Sequence, residues 1–139
     1  MLLMFKVKNY TSFKNESILD MRATAYMQHP THVLHVNDKL GLLKTTALYG
    51  ANASGKSNLI SAMFFFEQYI FSQFINKKEN DDFETNEIGM KMKLEPFFLS
   101  EDTNNASEFD IIFLRNNKQI QYGFECTSEE VLNEWLFID

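Results

Sequence analysis

The 139-residue chain carries a formal charge of −6 and has a pI near 5.0, a balance that gives no field to draw nucleic acid toward this segment. Its one cysteine, Cys126, excludes an internal disulfide, suits a reducing, cytoplasmic setting, and is expected to serve as a small apolar strand residue. A content of 45% hydrophobic and 14% aromatic residues predicts a single globular domain with a substantial core.

In chain order, Leu2 to Lys8 begins as an apolar run and then alternates, which predicts a strand whose far end faces water. Lys6 and Lys8 also cut the apolar start far short of a signal-peptide core. Asn9-Tyr10-Thr11-Ser12-Phe13-Lys14-Asn15 reads as a turn-rich link, and Glu16 to Met21 as a second strand closing a hairpin-like opening. Residues Arg22 to Lys44 read as a crossing loop. Its three histidines, His29, His32 and His35, are too few for a zinc site without a fourth ligand or neighbouring cysteines.

Thr45-Thr46-Ala47-Leu48-Tyr49 is short, β-branched and aromatic, and is expected to be a buried strand. It leads into Gly50-Ala51-Asn52-Ala53-Ser54-Gly55-Lys56-Ser57, which fits the phosphate-loop pattern Gly-x-x-x-x-Gly-Lys-[Ser/Thr]. The spacing matches what a triphosphate requires. Gly50 and Gly55 let the backbone turn sharply and approach an oxygen. The amides between them form an anion nest, to which the following helix adds its positive end. Lys56 would reach the β- and γ-phosphates as a mobile charge, and Ser57 would take one position on a phosphate-bound Mg²⁺. From Ser57 to Ile70 the apolar residues Leu59, Met63, Phe66 and Ile70 recur at helical spacing. The continuation to Ile75 contains Ser61, Glu67, Gln68, Ser72 and Gln73, so it reads as a buried helix and not a membrane span.

Asn76 to Asp82 reads as a solvated charged loop. Its Asn76-Lys77-Lys78-Glu79 fails the guanine-reading pattern Asn-Lys-x-Asp at the last position. Three strands are then predicted, at Glu108 to Leu114, Gln119 to Glu125 and Val131 to Ile138. With Arg115-Asn116-Asn117-Lys118 as a tight turn, they form an antiparallel meander. An alternative for the last strand takes Leu136-Phe137-Ile138-Asp139 as a buried strand ending in a Mg²⁺-organising aspartate.

Asn9-Tyr10-Thr11-Ser12-Phe13 together with Gly50 to Asn58 resembles the SMC and RecF branch of ABC-like ATPases. Ala47 to Asn58, Pro96-Phe97 and Glu134-Trp135-Leu136 resemble, more narrowly, bacterial AAA-family ATPases of the abortive-infection and OLD-like group. The resemblance implies an α/β fold of P-loop NTPase type, an ABC-ATPase-like amino-terminal lobe in which antiparallel strands accompany a strand, phosphate loop and helix. It implies that 1–139 is one partial ATP-binding domain, ending before the signature segment and the aspartate-glutamate strand. ATP and Mg²⁺ are the implied ligands, held by Gly50, Ala51, Asn52, Ala53, Ser54, Gly55, Lys56, Ser57 and Asn58, with Lys56 the catalytic lysine and Ser57 the metal ligand. On the base side it offers Phe13 for stacking and Lys14 for polar contact, while the residues by themselves read as a core aromatic and a solvated charge. Paired heads and a nuclease or effector partner are implied for the intact protein, in phage defence or DNA transactions. Two other readings compete: an interaction module that binds nucleotide without turnover, and a small P-loop kinase. The kinase would need lid arginines, and Arg22 and Arg115 are the only ones in the chain.

Overall fold

In the computed structural model, which describes residues 1–25, 28–76, 94–99 and 105–139, a five-stranded antiparallel sheet carries one long helix on one face. The strands are β1 (Leu2–Lys8), β2 (Ser17–Asp20), β5 (Ser107–Arg115), β6 (Lys118–Cys126) and β7 (Val131–Ile138), in the order β2-β1-β5-β6-β7. The opening pair and the carboxy-terminal meander both form as the alternation predicts. Asn116 and Asn117, with φ of 52° and 60°, make the two-residue turn that matches the twist of β5 and β6.

Alternation along β1 sends Leu3, Phe5 and Val7 into the core and Lys6 and Lys8 to the other face. The helix α1 (Lys56–Asn76) lies over the core side. Phe65 stacks on Phe109 at 5.0 Å between ring centres, Phe66 on Phe124 at 5.5 Å and Tyr69 on Phe124 at 4.1 Å. Each such pair adds about 0.5–1.5 kcal/mol to the area it buries. Compared with the stripe expected from sequence, the buried face is turned slightly. Ala62, Phe65 and Phe66 lie deepest, Leu59, Met63 and Ile70 flank them, and Ile60, Phe64 and Phe71 face solvent.

The opposite face of the sheet is organised by Asp110, a carboxylate only 3% exposed. It accepts from Gln121 Nε2 at 2.9 Å and from Trp135 Nε1 at 3.2 Å, with Lys6 Nζ 3.7 Å away. Such a carboxylate is tolerated because donors replace its lost water. The indole of Trp135 crosses Gly123 so closely that a Cβ there would stand 2.5 Å from the ring.

Cys126 and three tyrosines set the alkaline limit of this core. Burial, and secondarily Glu125, pushes the Cys126 thiol up to about 11. Burial first, then neighbouring acidic groups, also raises Tyr10, Tyr69 and Tyr122, and Tyr122 donates to Glu134 Oε1 at 2.8 Å. Groups whose folded pKa is raised contribute stability that is intact below their unfolded values, 9.0 for cysteine and 10.0 for tyrosine, and is lost as pH rises through the folded ones. The expected outcome is a constant melting temperature from pH 7 to about 9 and a progressive fall above it. Cys126 should stay unalkylated at pH 8 until the chain unfolds. Thermal melts followed by circular dichroism, with and without iodoacetamide, check both.

Three expectations need correction. Thr45 to Tyr49 is not a buried strand. It has no regular secondary structure, makes no backbone hydrogen bond among the described residues, and leaves Tyr49 91% exposed. Its composition suits a pleated surface, but a strand exists only by pairing, and no described segment runs beside it. Residues 22–44 are more than a crossing loop. A 3-10 turn (Pro30–His32) leads into a separate hairpin of β3 (Val33–His35) and β4 (Gly41–Leu43), with Asn37 Oδ1 accepting from the Lys39 and Leu40 amides at 2.9 Å each. Finally, β7 is not a buried strand ending at a metal site. It is the antiparallel edge of the sheet, with Leu136, Phe137 and Ile138 each well over half exposed, so Asp139 does not close a buried Mg²⁺ centre. The charged stretch after Asn76 lies outside the described residues.

Candidate functional site

The segment from Gly50 to Asn58 turns sharply before α1. Ala53 and Gly55 both have positive φ, 64° and 89°, the first an uncommon conformation for a residue with a Cβ and the second one that glycine adopts freely. Gly50 is required for a different reason. The Ser54 hydroxyl fills the place of its missing side chain, so a Cβ there would meet Ser54 Oγ at 2.6 Å.

Two interactions draw the loop into a ring. The Ser54 amide donates to Ala51 O at 3.3 Å. The Lys56 ammonium folds back across the turn, donating to Gly50 O at 2.8 Å, to Ala51 O at 2.6 Å and to Ser54 Oγ at 3.3 Å. The first bond of the helical ladder across the junction is Leu59 N–H to Gly55 O at 3.0 Å. The amides of Asn52, Ala53, Gly55, Lys56, Ser57 and Asn58 therefore have no acceptor among the described residues. No acidic residue occupies the first turn of α1, so the unpaired donors and the helix dipole act together on whatever anion approaches.

A second segment stands against this loop. The link after β1 is a tight turn in which Tyr10 and Phe13 exchange backbone bonds at 3.0 and 2.8 Å, with Asn9 and Thr11 at positive φ. Asn9 is nearly buried and ties the link to distant chain. Its amide donates to Asn105 O at 2.6 Å, its carbonyl oxygen Oδ1 accepts from Phe97 N–H at 3.3 Å, and its backbone O accepts from the Ser107 hydroxyl. Thr11 N–H adds a bond to Glu95 O at 2.7 Å, which brings the segment around Pro96 and Phe97 against the link. Sequence reasoning placed Asn9 in the link but gave it no anchoring role. A buried amide with partners about ninety residues away leaves no local pattern.

Of the residues singled out from sequence, Gly50 to Asn58 form one continuous turn, and Phe13 lies beside Gly55, where a Cβ would stand 3.6 Å from its ring. Lys14 is exposed, one position beyond. Asn58 spends its side chain on the link, donating to Ser12 Oγ at 2.8 Å. The histidines stand elsewhere: the rings of His29 and His32 are 5.8 Å apart, and among the described residues no three potential metal ligands gather. A groove of about 290 Å³ beside the β3–β4 hairpin shares no lining residue with the loop. Arg22 is held by Asp20 at 2.6 Å, and Arg115 ends β5. No helix among the described residues is long and apolar enough to cross a membrane.

The chain is thus an α/β protein in which a long helix, lying on an antiparallel sheet, is preceded by a lysine-bearing glycine turn whose amides are unpaired among the described residues. Residues 45–137 match the family described as "AAA domain, putative AbiEii toxin, Type IV TA system", and the chain belongs to that family of AAA ATPases, related to abortive-infection proteins. Its function is thus of the ATP-binding ATPase type. No curated protein matches the chain.

Proposed function

We propose that Gly50 to Asn58 is the seat of the ATP phosphates, and that the chain works as the nucleotide-binding part of a P-loop ATPase of the ABC-like kind. The unpaired amides of Gly55, Lys56 and Ser57 at the start of α1 carry this reading. They would donate to phosphate oxygens without breaking any hydrogen bond found among the described residues. Lys56 would exchange the carbonyls of Gly50 and Ala51 for β- and γ-phosphate oxygens, a gain because a phosphate carries full negative charge where a carbonyl carries a dipole. The Ser57 hydroxyl, unpaired among the described residues, fits a place on a phosphate-bound Mg²⁺, which would neutralise phosphate charge. Phe13 and Lys14 are proposed for the base side.

Hydrolysis needs more than this seat. The transfer of a γ-phosphoryl group to water rests on positioning and electrostatics, and a water-orienting carboxylate is half of that. The exposed edge position of β7 speaks against Asp139 as a Mg²⁺-organising aspartate, and the reading proposed for this chain alone is binding without turnover. Turnover is proposed for the working assembly, in which two heads close around nucleotide, with a nuclease or other effector as partner in phage defence or DNA transactions. Calorimetric titration of the chain with MgATP tests the binding reading. A saturable heat with negligible phosphate release is expected, and a flat titration would overturn it.

A further inference from the structure

We infer that Asn58 and Ser12 form a clamp that registers the link after β1 against the phosphate loop, making them positioning residues for the nucleoside end of the ligand and not phosphate contacts. The inference rests on the proposed phosphate seat and assigns Asn58 a different task within it. Its side-chain amide does not turn toward the unpaired amides of the loop. It reaches 46 residues back along the chain to Ser12 Oγ, at 2.8 Å.

Ser12 is in turn pressed against the loop, its Oγ standing 3.0 Å from where a Gly55 Cβ would be, with the Phe13 ring 3.6 Å from the same point. Any side chain at Gly55 would push the link away. Further along α1 the link is held again, by the Tyr10 hydroxyl near Ser61 O at 3.5 Å one turn on and by Tyr10 packing on Phe65 at 5.6 Å between ring centres two turns on. The loop's own shape does not depend on this clamp, since Lys56 and the Ser54 amide draw the ring closed from within. Phosphate seating and link placement are therefore separable. Only the second sets where Phe13 and Lys14 stand beside the loop.

The test compares MgATP with magnesium tripolyphosphate, which has phosphates and no nucleoside, by calorimetry on the full chain. Asn58→Ala and Ser12→Ala should each weaken MgATP about fivefold, the size of one net hydrogen bond, and Ser12→Ala, which lies outside the phosphate seat, should leave tripolyphosphate within about twofold. The double variant should be no weaker than either single one, because both remove one interaction. Ser12→Thr, which keeps the hydroxyl, should restore MgATP affinity. Ser12→Ala sits at an exposed turn position and keeps the comparison open should Asn58→Ala fail to fold. Equal losses for both ligands in Ser12→Ala, no loss for MgATP, or single losses that multiply in the double variant would each overturn the clamp. Wild-type chain binding both ligands equally tightly would overturn the clamp and leave the phosphate seat standing. Wild-type chain binding neither would remove both.

Discussion

Replacing Lys56 by alanine is expected to weaken MgATP binding by about 2–3 kcal/mol, a factor of roughly thirty to one hundred and fifty. The magnitude follows from the difference between two states of one ammonium group. In the ligand-free protein its three donors are already engaged, by Gly50 O, Ala51 O and Ser54 Oγ. Binding therefore exchanges bonds to neutral acceptors for bonds to phosphate oxygens and does not create them from nothing. That exchange keeps the loss below what a bare Coulomb sum would suggest. The lysine also braces the ring from inside, so Lys56→Ala should loosen the 50–55 turn even without ligand. A Lys56→Arg variant separates the two contributions. It keeps the charge but brings a planar fork that does not fit three convergent acceptors, so partial affinity is expected. Calorimetry on the three proteins decides. Equal heats from wild type and Lys56→Ala would remove the lysine from the site.

Phe109→Ala should cost about 3–5 kcal/mol, the range for deleting a buried aromatic ring. Phe109 is fully buried at the centre of the sheet. It stacks on Phe65 at 5.0 Å, meets Tyr10 at 5.3 Å and Phe124 at 5.3 Å, and so links the helix, the link after β1 and the meander. Domains of this size are stable by only about 5–15 kcal/mol, so the variant should sit near the edge of folding. The effect should reach the site, because Tyr10 and Phe65 hold the link and α1 in register. Urea unfolding gives the comparison: a large drop in midpoint for Phe109→Ala, and a shift within about 0.5 kcal/mol for Leu136→Ala on the exposed edge. Similar midpoints for the two variants would show that the core is not where the structure puts it.

The parts of the fold that sequence disclosed are those that local chemistry specifies. Period-two alternation across β5 and β6 with an Asn-Asn pair between them encodes its own register. The glycine loop encodes its turn, since Ser54 takes the space a side chain at Gly50 would fill and Gly55 holds a positive φ. What stayed hidden depends on partners far along the chain. Thr45 to Tyr49 has strand composition but no described neighbour to pair with. The rotation of α1 was blurred by Phe64-Phe65-Phe66, three consecutive rings of which the first faces solvent and the next two the sheet. The hairpin at 33–43 was missed because its strands are three residues each, too short for alternation to register. In the candidate site, the sharp turn from Gly50 to Lys56 was legible from its glycines. The buried Asn9 and the pairing of Asn58 with Ser12 were not, because each joins segments that only folding brings together.

Amide chemical shifts of the ¹⁵N-labelled chain, followed while magnesium tripolyphosphate and then MgATP are added, test the phosphate seat most directly. The largest shifts should fall on Gly55, Lys56, Ser57 and Asn58 with either ligand, and MgATP alone should also move Phe13 and Lys14. Shifts absent from residues 50–58, or centred instead on the groove beside the β3–β4 hairpin, would contradict it.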